Sequence, residues 1–139
     1  MVQKLWSKAW KSSTQKRKQR KYLFNAPLNI KHRMLSAPLS KELRAEYNVR
    51  SVPVRKGDTV KVSTGQFKTM SGKVSKVSLA RLKVYVDGIG VNRADGSLAM
   101  YPIHPSNLVI TKLDLEDKVR EEKLKKLKEA NKKWVTQDT

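Results

Sequence analysis

No acidic residue precedes Glu42, while eleven Lys and Arg do, and this asymmetry limits the fold more than any other feature of the chain. Five of those cations are packed into Lys16, Arg17, Lys18, Arg20 and Lys21. Like charges at that density repel one another, so such a segment does not build a core of its own and orders fully only against a polyanion. Residues 1–24 therefore read as a basic arm. The imbalance fades along the chain: residues 1–56 carry 15 basic and 2 acidic side chains, residues 57–112 carry 8 and 3, and residues 113–139 carry 8 and 7. A formal total of +19 over 139 residues points to nucleic acid as the first candidate partner. With 38% apolar residues there is material for one modest core, in keeping with the roughly 100–150 residues of a single domain.

Several classes fall away. Without any Cys there is no disulfide scaffold, thiolate metal site or Cys nucleophile. His32 and His104 lie far apart and no carboxylate cluster accompanies either, so neither a metal nor another cofactor is expected. No apolar run reaches the roughly 18–20 residues of a membrane span, since the longest uncharged stretch, Gly96 to Thr111, holds two prolines. Lys4, Lys8 and Lys11 have no hydrophobic stretch behind them, so no secretory signal is expected and the cytosol is the anticipated location. A transit peptide is the competing reading of a basic, acid-free start, but the basic character runs past any cleavage point. Trp6, Trp10, Tyr22 and Phe24 are interleaved with the charge. Their rings can stack on unpaired bases or dock onto a protein surface, and both readings stay open.

Beyond the arm, Ile30 and Met34 are four apart in a segment from Pro27 to Leu35, which predicts a short helix with Lys31, His32 and Arg33 on its basic side. Ser40 is a good N-cap for a second helix through Tyr47, and Asn48 is a suitable stop. After Pro53 the period becomes two: Val60 and Val62, then Val74, Val77 and Leu79, then Leu82, Val84 and Val86, with further strands near Leu98–Tyr101 and Leu108–Ile110. The three-residue step from Val74 to Val77 predicts a bulge of the kind that bends one strand between sheets. Five short strands imply a small closed barrel over residues 53–112. From Asp114 the pattern is helical, with Glu116/Arg120, Glu121/Lys125, Glu122/Lys126 and Glu129/Lys133 in the favourable i,i+4 order. Leu124, Leu127, Ala130 and Trp134 make only a narrow apolar stripe, so residues 113–139 read as a solvated helix docked lightly at its start.

The stretch from Lys56 to Val74 carries the most information. Gly57-Asp58 is a turn that launches a strand, Gly65 permits a positive φ, and Gly72 permits close backbone approach, leaving Gln66, Phe67 and Lys68 to project from the tip. The arrangement resembles the KOW motif of small SH3-like barrels. Around it stand Asn25-Ala26-Pro27, the run Leu35-Ser36-Ala37-Pro38-Leu39-Ser40-Lys41-Glu42-Leu43-Arg44, the run from Tyr47 to Asp58, then Tyr101 to Asn107 and Lys112 to Leu115. Together they resemble the archaeal and eukaryotic branch of the large-subunit ribosomal protein family numbered twenty-four in the universal nomenclature and twenty-six in eukaryotes. The likeness covers roughly residues 20–120. It departs where the family usually has Gly after the loop lysine, since Thr69 follows Lys68 here and the loop conformation is left open.

The resemblance implies a mainly β protein: an SH3-like barrel with a basic N-terminal extension of short helices over residues 25–52, and a C-terminal helix. It further implies a structural, non-enzymatic role in the large ribosomal subunit, direct binding of large-subunit rRNA near its 5′ region, help in nucleating assembly, a position near the polypeptide exit tunnel, and contact with neighbouring ribosomal proteins. The cations expected to meet rRNA are Lys16, Arg17, Lys18, Arg20, Lys21, Arg33, Arg44, Arg50, Arg55, Lys56, Lys68 and Lys73. The competing class is a transcription-elongation module using the same barrel on polymerase. Such factors carry a mixed α/β domain before the barrel, and 52 largely basic residues are too few for one. An enzyme lacks support: Asp58, Asp87 and Asp95 sit at turns, and no Ser, His and Asp grouping or phosphate-cradling loop is present. Neither a small-molecule substrate nor membrane insertion is expected.

Overall fold

A computed structural model describes residues 6, 7, 9, 10 and 13–135, with side chains through Asn131. Residues 1–5 of the arm, Lys8, Lys11, Ser12, residues 136–139 and the side chains of residues 132–135, Lys133 and Trp134 among them, lie outside the described residues. The chain runs α1 (Lys16–Asn25), α2 (Leu28–Met34), β1 (Ser36–Pro38), α3 (Lys41–Tyr47), β2 (Ser51–Pro53), β3 (Thr59–Val62), β4 (Ser71–Ser78), β5 (Lys83–Val86), β6 (Gly90–Asn92), β7 (Leu98–Met100), a 3-10 turn at Pro105–Asn107, β8 (Leu108–Lys112) and α4 (Lys118–Val135). Helical residues outnumber strand residues, so the fold is mixed α/β where the sequence suggested mainly β.

Period-two alternation builds the centre. Val60, Val62, Val74, Val84, Val86, Leu108 and Ile110 point inward and are all buried, each contributing about 1.5–3 kcal/mol of hydrophobic stabilisation. Their strands form an antiparallel sheet of order β5-β4-β3-β8. The anticipated irregularity is present, because the β4/β5 register shifts between Val74 and Lys76. Two smaller antiparallel pairs, β1-β2 and β6-β7, flank this sheet. Isolated bridges from Leu39 to Ile110 and from Val84 to Ile103 tie the margins in. No ladder among the described residues closes β5 onto β8, so the four-stranded sheet is open.

Strands β1 and β2 come from a region read as helices and connections. Ala37 pairs with Val52 and Ser36 with Pro53, and Leu35, Ala37, Leu39, Val52 and Val54 join the same core as the large sheet. The two short helices form as the sequence indicates. Ser40 Oγ accepts from Leu43 N–H at 3.4 Å, and Asn48 ends α3 in the left-handed region at φ 53°. Helix α1 was not anticipated; it has no buried residue.

Close approaches fix the turns around β3 and β4. A Cβ on Gly72 would sit 2.6 Å from the Asp87 carbonyl oxygen, and one on Gly57 would sit 2.1 Å from Asp114 Oδ2. Against the turn before β3, α4 docks at its first turns, where Arg120 and Leu124 are buried. Of the anticipated helix-surface pairs, Glu121 and Lys125 meet at 2.6 Å. Glu116 lies ahead of the helix, and Arg120 turns inward to a different partner.

Candidate nucleic-acid interface

The cations of α1 are held by their helix and by little else. Lys16, Arg17, Lys18, Arg20 and Lys21 are all exposed, and the first turn of α1 contains no acid. The helix is fastened from two sides. Lys31, reading as one more basic side chain in the sequence, is buried in α2 and its Nζ donates to the Phe24 carbonyl at 3.0 Å and to the Ala80 carbonyl at 3.4 Å. It thus caps the end of α1 and joins it to the turn before β5. On the other side Trp6 Nε1 donates to the Tyr22 carbonyl at 3.1 Å. The Trp6 and Trp10 rings lie 5.2 and 4.6 Å from the Tyr22 ring. Both tryptophans therefore dock onto this protein's own helix, while Phe24 stays 67% exposed.

The remaining cations divide by what their side chains touch. Arg33, Arg50, Lys56, Lys68 and Lys73 are exposed. Arg44 is exposed, though its Nε donates to the Leu39 carbonyl at 2.8 Å. Arg55 is engaged: it forms an ion pair with Asp117. That guanidinium, with the Val119 N–H, holds the Asp117 carboxyl below its ordinary range.

Strand pairing adds cations that the sequence reading did not select. Thr59 is flanked by Lys73 on β4 and Lys112 on β8, and Lys61 lies two residues along on the same face of β3. Lys61, Lys73 and Lys112 are exposed, and adjacent strands stand only about 4.8 Å apart, so the outward face of the sheet is lysine-lined. Its signal in the sequence was the alternation itself, with Lys61 between two buried valines.

The loop from Gly65 to Met70 is tightly closed. Lys68 N–H donates to the Gly65 carbonyl at 3.2 Å and Thr69 N–H to the Val62 carbonyl at 3.0 Å. Thr69 has φ 76°, so it adopts the left-handed conformation for which glycine is the unstrained residue. This is how the loop closes with Thr69 after Lys68. Gln66 and Lys68 are exposed as anticipated, but Phe67 is half-buried and packs on Tyr101 with ring centroids 5.1 Å apart. Below this pair is a concavity of about 170 Å³ reaching Lys83, His104 and Asn107. His104 Nδ1 lies 2.7 Å from Ser106 Oγ and accepts from Ser106 N–H at 3.3 Å. Burial and the charge of Lys83 hold the His104 pKa below the ordinary histidine value.

Asp58, read as a turn former, does more than shape a turn. It is fully buried and receives Arg120 through both oxygens, at 2.6 and 2.8 Å. It also accepts from the backbone N–H of Arg55 at 2.9 Å and of Asp114 at 3.0 Å. Arg120 further donates to the carbonyls of Asp114 and Pro53; only its Nε lacks a partner. Gly57 suits this turn because its φ of 98° lies in the left-handed region that glycine adopts without strain, and a Cβ there would also press on the Asp114 carboxylate. Among the described residues there is no cluster of His, Cys, Asp or Glu able to hold a metal ion, and no helix is long and apolar enough to cross a membrane.

The family model that describes the eukaryotic L26 ribosomal proteins and their archaeal L24 counterparts matches residues 13–127. The match includes α1 to β8 and α4 as far as Leu127.

Proposed function

The chain belongs to the family of eukaryotic L26 and archaeal L24 ribosomal proteins, structural constituents of the large ribosomal subunit that act in translation, and on that premise we propose that it binds large-subunit rRNA directly. The observation that carries this reading is α1: five exposed cations with no acid in its first turn and no buried residue. Such a helix has nothing to gain from this protein's own core, and its charges are satisfied by phosphate. Arg33, Arg44, Arg50, Lys56, Lys68 and Lys73 extend the contact, while Arg55 takes part only by sharing itself with Asp117. Lys61 and Lys112 join this group from the sheet face.

The finer parts of the reading come with the family. They are an SH3-like closure of the β3 to β8 region, a role in nucleating assembly near the 5′ region of the rRNA, a site near the exit tunnel, neighbouring ribosomal proteins as partners, and residence in the cytoplasm. The test is sedimentation of a tagged full-length copy through a sucrose gradient. Co-migration with the large subunit after a high-salt wash supports the reading. Exclusive co-migration with RNA polymerase would favour the elongation-factor alternative.

A further inference from the structure

We propose that the concavity beneath Phe67 and Tyr101 is a binding pocket for one unpaired nucleobase of RNA. This rests on the RNA-binding reading above and adds a base-contacting site to a surface otherwise described through phosphates.

Size comes first. At about 170 Å³ the concavity is below the roughly 300–1,000 Å³ of drug-sized ligand sites, which suits a single ring system. Its floor is apolar, formed by the buried side chains of Val62 and Ile103. Its wall is aromatic: Tyr101 is 43% exposed and braced by Phe67 at 5.1 Å, so the phenol presents a fixed surface for stacking.

The rim supplies polar groups of the right kind. Because His104 Nδ1 accepts from Ser106 N–H, the proton of the neutral ring lies on Nε2, making that nitrogen a donor. The depressed His104 pKa keeps the ring neutral near pH 7. Gln66 and Asn107 bring side-chain amides, each both donor and acceptor, as base edges require. Lys83 adds a positive charge for the attached phosphate. No acidic residue lines the concavity, and that sign favours a nucleic-acid strand over an acceptor for basic peptide. Lys68, exposed on the adjoining loop, extends the positive potential along the path such a strand would take.

The test compares full-length protein binding to a short single-stranded RNA and to the same oligonucleotide made abasic, which keeps the phosphates and removes the bases. Tyr101→Leu should weaken binding of the normal oligonucleotide about 5- to 100-fold, the range expected for one base stack, and leave abasic binding and the salt slope unchanged. Tyr101→Phe should restore affinity, and circular dichroism should show both variants folded. If Tyr101→Leu changes neither affinity, or changes both equally, the pocket holds no base, whether it is empty or takes a peptide. If the wild-type protein binds neither oligonucleotide, the RNA reading itself fails along with the pocket.

Discussion

Helices α1 and α4 are both rich in lysine, yet they are attached to the molecule in opposite ways. Helix α4 is locked by Arg120, which reaches Asp58 through two hydrogen bonds and is 4% exposed. Helix α1 buries none of its own residues and is held by Lys31 from α2 and by the Trp6 and Trp10 rings packed on its Tyr22. A buried cation costs several kcal/mol in lost hydration, so it must find acceptors within the fold. Lys31 has the Phe24 and Ala80 carbonyls, and Arg120 has the Asp58 carboxylate and two further carbonyls. An exposed cation makes no such demand and remains free for a partner. The excess charge therefore has two uses: Lys31 and Arg120 are consumed by the structure, Arg55 is shared with Asp117, and the α1 cluster is left to solvent. Helix α4 also neutralises itself in part, since its Glu121 holds the Lys125 pKa above the ordinary lysine value.

Breaking the lock should have the largest effect. Asp58→Ala leaves Arg120 buried without its counter-ion and should lower stability by about 3–5 kcal/mol, read as a shift in the urea midpoint, with fast amide exchange throughout α4 and little change in α1. Unchanged stability would mean that the pair is incidental. Lys31→Met keeps the alkyl stem and removes the ammonium that caps α1. The expected cost is about 1–2 kcal/mol, accompanied by loss of helicity over residues 16–25 while α4 stays protected. If α4 loosens as well, the two attachments are not independent. The smallest effect is set by pH. Asp117 has a depressed pKa in the folded state, so its contribution is present above the unfolded-state value and is lost as pH falls through the lower folded value. Amide exchange at Val119 and Arg120 should rise only below the ordinary aspartate range, and Asp117→Asn should abolish that pH dependence.

What could be read from the sequence follows the physics of each signal. Strands at Val60/Val62, Val84/Val86 and Leu108/Ile110 were legible because one face is buried and period two survives. The bulge at Val74–Val77 and the Asn48 stop were legible because each is a local departure with a local cause. Strands β1 and β2 were hidden by Pro38 and Pro53, which read as breakers but sit in three-residue edge strands where a missing N–H is tolerated. Helix α1 has no apolar stripe to betray it. The partnership of Asp58 with Arg120 spans 62 positions, and Lys31 looks like any surface lysine until the turn at Ala80 is placed beside it. Long-range polar pairs of this kind have no period. Of the candidate interface, the α1 cluster was visible as composition, whereas Lys61 and Lys112 became candidates only once the strand register set them beside Lys73.

The central claim is that the charges of α1 serve RNA and those of α4 do not. It is tested most directly by the salt dependence of full-length protein binding to a fragment from the 5′ region of large-subunit rRNA. One variant has Lys16, Arg17, Lys18, Arg20 and Lys21 replaced by Gln, a good helix former; the other has Lys123, Lys126 and Lys128 replaced by Gln. Each lost phosphate contact lowers the slope of log affinity against log salt by about 1. The α1 variant should lose about 3–5 from the slope while the α4 variant loses less than about 1. Equal losses from the two helices, or a slope untouched by the α1 substitutions, would contradict the account.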